Sequence, residues 1–149
     1  MNFKSQNNNS EISFSIIICI QENEPKFQKY FPKIISQQYP NFEIIIVSRD
    51  ITDALSYYIA SEIAQNSSIK HLSLDFGSYP YLGKKQALHQ GIMHAQYEYI
   101  VTIDGDSYPE SEYWLQSISH SILPTTDIVI GSSPYIKQHG WLNKWIRYD

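Results

Sequence analysis

The chain has 149 residues, of which 17% are charged, and a net charge of -4 at pH 7. At this length one domain is expected, with a core that buries about two-thirds of the unfolded chain's surface. The acidic balance argues against a general nucleic-acid binder, which would carry a basic face, and the single cysteine, Cys19, excludes an internal disulfide.

Residues 1–12 are polar and read as a flexible tail without the apolar centre of a signal peptide. No apolar run approaches the ~20 residues of a membrane span, so a cytoplasmic chain is expected. The run from Phe14 to Ile20 suits a strand buried on both faces, with Cys19 as a small apolar member. A polar loop, Gln21 to Pro25, follows, and Pro25 is placed to open a helix in its first turn. Phe27, Tyr30, Phe31, Ile34 and Ile35 recur at helical spacing; Pro32 inside the pattern predicts a break or kink near Phe31. Phe42 to Val47 is a second buried strand, with Ser48, Arg49 and Asp50 at its carboxyl end. Thr52 to Gln65 fits a helix and Ile69 to Leu74 a short third strand.

After a loop from Asp75 to Leu82, residues Gly83 to Ala95 fit a helix with a buried stripe of Ala87, Leu88, Ile92 and Ala95. The β-branched run Ile100 to Ile103 predicts a fourth strand, again buried on both faces, that ends at Asp104-Gly105-Asp106. Ser107 and Glu110 have the spacing of a capping box for a helix over Glu110 to Ile122, with Tyr113 or Trp114, Ile118 and Ile122 buried. Asp127 to Gly131 reads as a fifth strand. In the aromatic and basic tail, Trp141, Leu142, Trp145 and Ile146 fall at helical spacing.

Strands alternating with helices through short loops predict an α/β fold, a parallel sheet covered by helices on both faces. In such sheets ligands sit outside the carboxyl ends of the strands. Three polar clusters fall there: Gln21 to Glu24, Ser48 to Asp50, and Asp104 to Asp106. Two carboxylates at a strand end are costly unless a cation neutralises them. A hard divalent ion does so, and Mg²⁺ usually takes only one or two protein carboxylates, with water and phosphate oxygens completing its shell. Gly105 between the acids permits a sharp turn and a close ligand. The pattern points to a metal-bound diphosphate; the bland alternative is a solvated Asp-Gly turn. The five histidines show no pair at metal-ligand spacing on one helix face.

At these residues the chain resembles the family 2 glycosyltransferases of the GT-A fold, which transfer a sugar from a nucleotide-diphosphate donor. Ser15-Ile-Ile-Ile-Cys-Ile-Gln-Glu-Asn-Glu24 is similar to the family's first strand and Asn-Glu loop, and Gln38-Tyr-Pro-Asn-Phe-Glu-Ile-Ile-Ile-Val47 to its second strand. Gly83-Lys-Lys-Gln-Ala-Leu-His-Gln-Gly-Ile92 is similar to its Gly-Lys helix, and Ile103-Asp-Gly-Asp-Ser-Tyr-Pro109 to its metal-binding Asp-x-Asp loop. The segments Tyr113 to Leu115, Gly131 to Tyr135 and Leu142 to Tyr148 resemble a branch common in gut-type Bacteroidetes. The resemblance covers nearly everything from Phe14 onward.

It implies a mostly parallel, Rossmann-like GT-A sheet over residues 13–149, Mn²⁺ or Mg²⁺ as cofactor, and an inverting transfer. The donor is expected to be a nucleotide-diphosphate sugar, a UDP-sugar first among them, with the acceptor unassigned. Asp104 and Asp106 would bind the metal. Asp104 and Gly105 would also meet the donor, with Gln21, Glu22 or Glu24 near base or ribose and Lys84 near the diphosphate or sugar. Ser48, Arg49 and Asp50 stand where the family has Asp-Asp-Gly-Ser, so its base-contacting acid is displaced or absent and Arg49 could instead meet a phosphate. His89 replaces the family's Asn. Only 43 residues follow Asp106, and neither the family's catalytic base nor its Gln-x-x-Arg-Trp motif is among them. The expectation is a donor-binding half that lacks the acceptor half.

Competing functions are an inactive donor-binding or interaction module, with the tail aromatics as a sticky patch or a membrane-surface segment flanked by Lys144 and Arg147 at the inner face of the cell membrane. A haloacid-dehalogenase-type phosphatase is a further alternative, but its motif continues to Thr where Tyr108 stands. A P-loop fits worse: Lys85 replaces the Ser or Thr that would hold Mg²⁺.

Overall fold

The computed structural model describes residues 12–21, 24–74 and 83–131. The chain divides into two units, Met1–Ser119 and His120–Asp149, and the sheet belongs to the first. The elements follow the order β1 (Phe14–Gln21), α1 (Phe27–Ile35), β2 (Phe42–Arg49), α2 (Asp53–Gln65), β3 (Ile69–Ser73), α3 (Lys84–Met93), β4 (Tyr99–Asp104) and α4 (Trp114–Ser121). The four strands form one sheet in the order β3-β2-β1-β4, and every pairing is parallel. This is the expected α/β class.

The central strands explain the core. Ile16, Ile17, Ile18, Ile44, Ile45, Ile46 and Val47 are all buried, and alternation sends successive side chains to opposite faces. On one face Ile17, Ile45 and Val47 pack with Ala87, Leu88 and Ala95 at α3. Right-handed crossovers put α1 and α2 on the other face, because the chain steps from β1 to β3 in one direction and returns past β1 to β4 in the other. There the aromatic stripe of α1 is buried, with Phe27 stacked on Phe31 at 4.7 Å between centroids and both rings edge-on to Tyr58 of α2.

Several local expectations are corrected. Pro25 does not open α1. It sits one position ahead of the Lys26 N-cap, in a turn closed by Phe27 N–H to Glu24 O at 3.0 Å, a position that suits its fixed φ. The helix runs through Pro32 without a break. One helical hydrogen bond is lost there, yet Ser36 N–H still reaches Pro32 O at 3.0 Å, and burial of Phe27, Phe31 and Ile34 holds both turns together. Ile92 is 44% exposed, and Gly91 takes the buried position on α3. A Cβ on Gly91 would lie 2.5 Å from Ile17 Cγ2, so only glycine lets the helix approach this closely.

β4 is not buried on both faces: Tyr99, Thr102 and Asp104 are exposed, because β4 is an edge of the sheet among the described residues. No helix starts at Ser107. Tyr108 precedes Pro109, which disfavours helical backbone at that residue, and the helix begins at Trp114 after Ser111 Oγ has accepted from Tyr113 N–H at 3.1 Å. Leu115 is its buried residue, while Tyr113 is exposed. Residues 127–131 form no strand, and Ile128 and Ile130 are exposed. A β-branched run becomes a strand only where a ladder is offered, and none of the described residues pairs with it. The tail helix and the loop over 75–82 lie outside the described residues.

Candidate functional site

The strand order reverses at β1, which has β2 on one side and β4 on the other, and such a reversal marks the carboxyl end of the sheet as the place for a ligand crevice. An open cleft of about 290 Å³ lies there, at the small end of ligand pockets. Cys19, Ile20 and Gln21 of β1 line it, together with Glu24, Arg49 of β2, Leu74, Gly83, Lys84 and Ala87 around α3, and Asp104, Gly105 and Asp106 after β4. Register explains the meeting: Cys19 pairs with Asp104, and Gln21 pairs with Arg49.

The two acids are held by lysines. Lys84 Nζ is hydrogen-bonded to Asp104 Oδ1, and Lys26 Nζ stands 4.0 Å from Asp106 Oδ2. All four side chains are about half exposed. The loop behind the acids is pinned: the Tyr108 ring packs on Tyr30 at 4.5 Å, with Lys33 Nζ over it at 3.6 Å. Gln37 anchors the next segment, donating to Ser111 O at 2.9 Å and accepting from Leu115 N–H at 3.2 Å. Gly105 is buried, but its φ is outside the left-handed range and a Cβ would meet Glu24 Cγ and Ile20 Cγ1 at an ordinary 3.4 Å. The turn at Gly105 does not use the left-handed freedom that glycine permits.

Arg49 is 16% exposed and its Nε lies 3.3 Å from Asp50 Oδ2. Asp50 has φ 55°, in the left-handed region that few non-glycine residues enter. Neither Asp50 nor Ser48 lines the cleft. Ser48 is buried, with its Oγ 2.7 Å from His71 Nε2, and burial lowers the His71 pKa, which favours the neutral ring. Burial pushes the Cys19 thiol up; Lys84 opposes this and Asp104 adds to it. Cys19 is therefore a neutral wall of the cleft. Glu22 lies outside the described residues.

Among the described residues no three His, Cys, Asp or Glu side chains form a metal cluster. Two half-exposed carboxylates at an open cleft nevertheless suit a hard divalent ion that draws its other ligands from water and phosphate. The donor set fits such an ion, and Asp104 and Asp106 are the residues that would hold it. Sequence reasoning missed Lys26, whose pairing with Asp106 depends on how the turn before α1 folds back, and the apolar wall of Ile20, Leu74 and Ala87. The register of β1, read from its own alternation, would have found Ile20.

The sequence profile described as "Glycosyl transferase family 2" matches residues 15–148. Over 96 residues the chain is 33% identical to a poly-beta-1,6-N-acetyl-D-glucosamine synthase of Staphylococcus epidermidis, an alignment that takes in 64% of this chain and 22% of that protein. The chain thus spans about a fifth of the length of this curated relative. Among solved structures it superimposes on S. aureus TarS residues 1–349 with a TM-score of 0.61, 20% identity, and coverage of 73% of this chain and 32% of that one. A TarS structure in complex with UDP-GlcNAc gives a TM-score of 0.58 at 19% identity, covering 73% and 30%. The mannosyltransferase PcManGT from Pyrobaculum calidifontis, in complex with GDP-Man and Mn²⁺, gives 0.61 at 19% identity, covering 74% and 33%. At these identities the structural likeness speaks for the fold.

Proposed function

This chain belongs to glycosyl transferase family 2, and on that premise we propose that it is the donor-binding part of a metal-dependent, inverting glycosyltransferase that uses a nucleotide-diphosphate sugar. The observation that carries the proposal is the gathering of Asp104, Asp106, Lys84 and Arg49 around one cleft at the strand ends. Solved complexes of similar folds with UDP-GlcNAc and with GDP-Man and Mn²⁺ support the ligand class and the ion.

Asp104 and Asp106 would hold Mn²⁺ or Mg²⁺. When bound, the ion offsets the charge that gathers on the departing nucleoside diphosphate. Lys84 and Lys26, which now neutralise the two carboxylates, would turn to the diphosphate oxygens. The exchange would keep both acids compensated when the donor binds. Glu24 and Gln21 line the side of the cleft toward β1 and would meet the ribose. The inverting course is part of this proposal and is what the resemblance implies, and no residue of the cleft is given the base's role toward the acceptor hydroxyl.

Isothermal titration with UDP and with GDP, in the presence and absence of Mn²⁺, tests the proposal. Binding of at least one nucleotide, strengthened by Mn²⁺, is expected. A folded chain that binds neither would sink it.

A further inference from the structure

The two carboxylates of the cleft are held by different means. Asp104 is the last residue of β4, in register with Cys19 of β1, and its Oδ1 accepts from Lys84 Nζ. Asp106 lies beyond the ladder, after a turn closed by Ser107 N–H to Asp104 O at 3.0 Å. The contacts of its own carboxylate are long: Ser107 Oγ stands 3.5 Å from Oδ1, and Lys26 Nζ stands 4.0 Å from Oδ2. Contacts of that length on a half-exposed side chain fix its position weakly.

The firm anchor stands two residues further on. The Tyr108 ring packs on Tyr30 at 4.5 Å between centroids and carries the Lys33 ammonium over its face at 3.6 Å. Tyr30 is buried in α1, so the ring is seated on the core. Beyond it, Gln37 holds Ser111 O and Leu115 N–H, and Gln38 N–H donates to Glu112 O at 2.8 Å. The sheet therefore fixes the chain up to Asp104, and α1 with the residues just after it fixes the chain from Tyr108 onward. Asp106 is suspended between these two anchors.

An ion shared by two carboxylates needs both in place, and a carboxylate that must be ordered on binding costs affinity. We propose that Tyr108 is a positioning residue for the metal site: its ring, held by Tyr30 and Lys33, presets the Asp106 carboxylate for an ion shared with Asp104. Both contacts are made by the ring itself, so its hydroxyl is dispensable. The inference rests on the donor-site reading above.

Calorimetric titration with Mn²⁺, alone and in the presence of UDP, measures the effect. Amide hydrogen exchange over residues 104–107 gives a readout that needs no metal. Tyr108→Leu keeps apolar bulk without a ring face; it should bind Mn²⁺ on the order of tenfold more weakly and exchange faster at Asp106 and Ser107. Tyr108→Phe should match wild type in both. Lys33→Met keeps the stem and loses the charge on an exposed helix face, so folding is not at stake, and it should weaken Mn²⁺ binding about two- to fivefold. Glu43→Gln, which alters the buried pair with Lys70 at the other end of the sheet, should keep wild-type Mn²⁺ affinity and so separates positioning from general stability. A cooperatively melting Tyr108→Leu chain with wild-type Mn²⁺ affinity would overturn this inference alone. So would wild-type affinity in Lys33→Met, or a Tyr108→Phe chain as weak as Tyr108→Leu. Absence of Mn²⁺ binding by folded wild-type protein, with and without UDP, would overturn the metal site and this inference together.

Discussion

Lys84, the first residue of α3, places its Nζ on the Oδ1 of Asp104 at the end of β4. The contact joins the two sides of the cleft, and it puts a cation on one of the two carboxylates proposed to hold the metal. Lys84→Gln separates the two consequences. Both side chains are more than half exposed, so the pair contributes only about 0–1 kcal/mol to stability, and the thermal midpoint should barely move. Mn²⁺ alone should bind more tightly to the variant, since Asp104 is no longer shared with a competing cation. UDP in the presence of Mn²⁺ should bind more weakly. Titration of both ligands checks the opposite signs; a variant that weakens both would contradict the exchange.

Gly91→Ala should destabilise the fold. Alanine gains about 1 kcal/mol of helix propensity over glycine, but its methyl would lie 2.5 Å from Ile17 Cγ2 and 3.2 Å from Val47 Cγ2. Both neighbours are β-branched core residues in β1 and β2 that cannot swing away, and overpacking costs about 1–3 kcal/mol. Urea unfolding should show a lower midpoint at an unchanged slope.

Gly105→Ala should separate folding from binding. Space for the methyl exists, at 3.4 Å from Glu24 and Ile20, and the backbone is not left-handed. Unfolding should resemble wild type within about 1 kcal/mol, while a methyl between the two acids should weaken Mn²⁺-dependent UDP binding. Equal binding by the two proteins would remove Gly105 from the donor's contacts.

A buried carboxylate at the amino-terminal side of the sheet predicts an acid limb in stability. Glu43 is buried, accepts from Ser15 Oγ and Gln96 N–H at 2.6 Å each, and pairs with Lys70 Nζ at 2.6 Å. Burial raises its pKa, but the hydrogen bonds from Lys70, Ser15 and Gln96 together outweigh it, and the net shift is below the ordinary 4.5. A depressed carboxylate contributes stability that is fully present above its unfolded value and is lost as pH falls through its folded value. Stability should therefore decline below about pH 4.5, and Glu43→Gln should be less stable at neutral pH with a flatter acid limb. Thermal melts from pH 7 to pH 3 measure both.

How far the sequence carried these conclusions follows from the physics of each segment. β1, β2 and the acid loop were legible because Ile16 to Ile18 and Ile44 to Ile46 are continuous apolar runs, and parallel strands buried on both faces need such runs. β4 has the same run from Ile100 to Ile103, but its exposure depends on standing at the edge of the described sheet, which composition does not encode. Ile92 and Gly91 changed places because the helix approaches the sheet at its smallest residue, a choice made by tertiary distance rather than by periodicity. Pro32 was overruled by buried aromatic packing on both sides. Of the site, Gln21, Glu24, Arg49, Asp104, Gly105 and Asp106 line one cleft as the strand-end rule anticipated, and Lys84, expected from the family resemblance alone, lines it with them. Ser48 and Asp50 do not line it: Ser48 Oγ is taken up by His71, and Asp50, in a left-handed backbone conformation, pairs with Arg49.

The central claim is a metal-dependent donor site at Asp104 and Asp106, and the most direct measurement is calorimetric titration of the chain with UDP, with and without Mn²⁺, beside Asp106→Ala. The account predicts binding that Mn²⁺ strengthens in the wild type and that the variant loses while retaining a cooperative melt. Nucleotide binding that is indifferent to Mn²⁺, or that persists unchanged in Asp106→Ala, would contradict it.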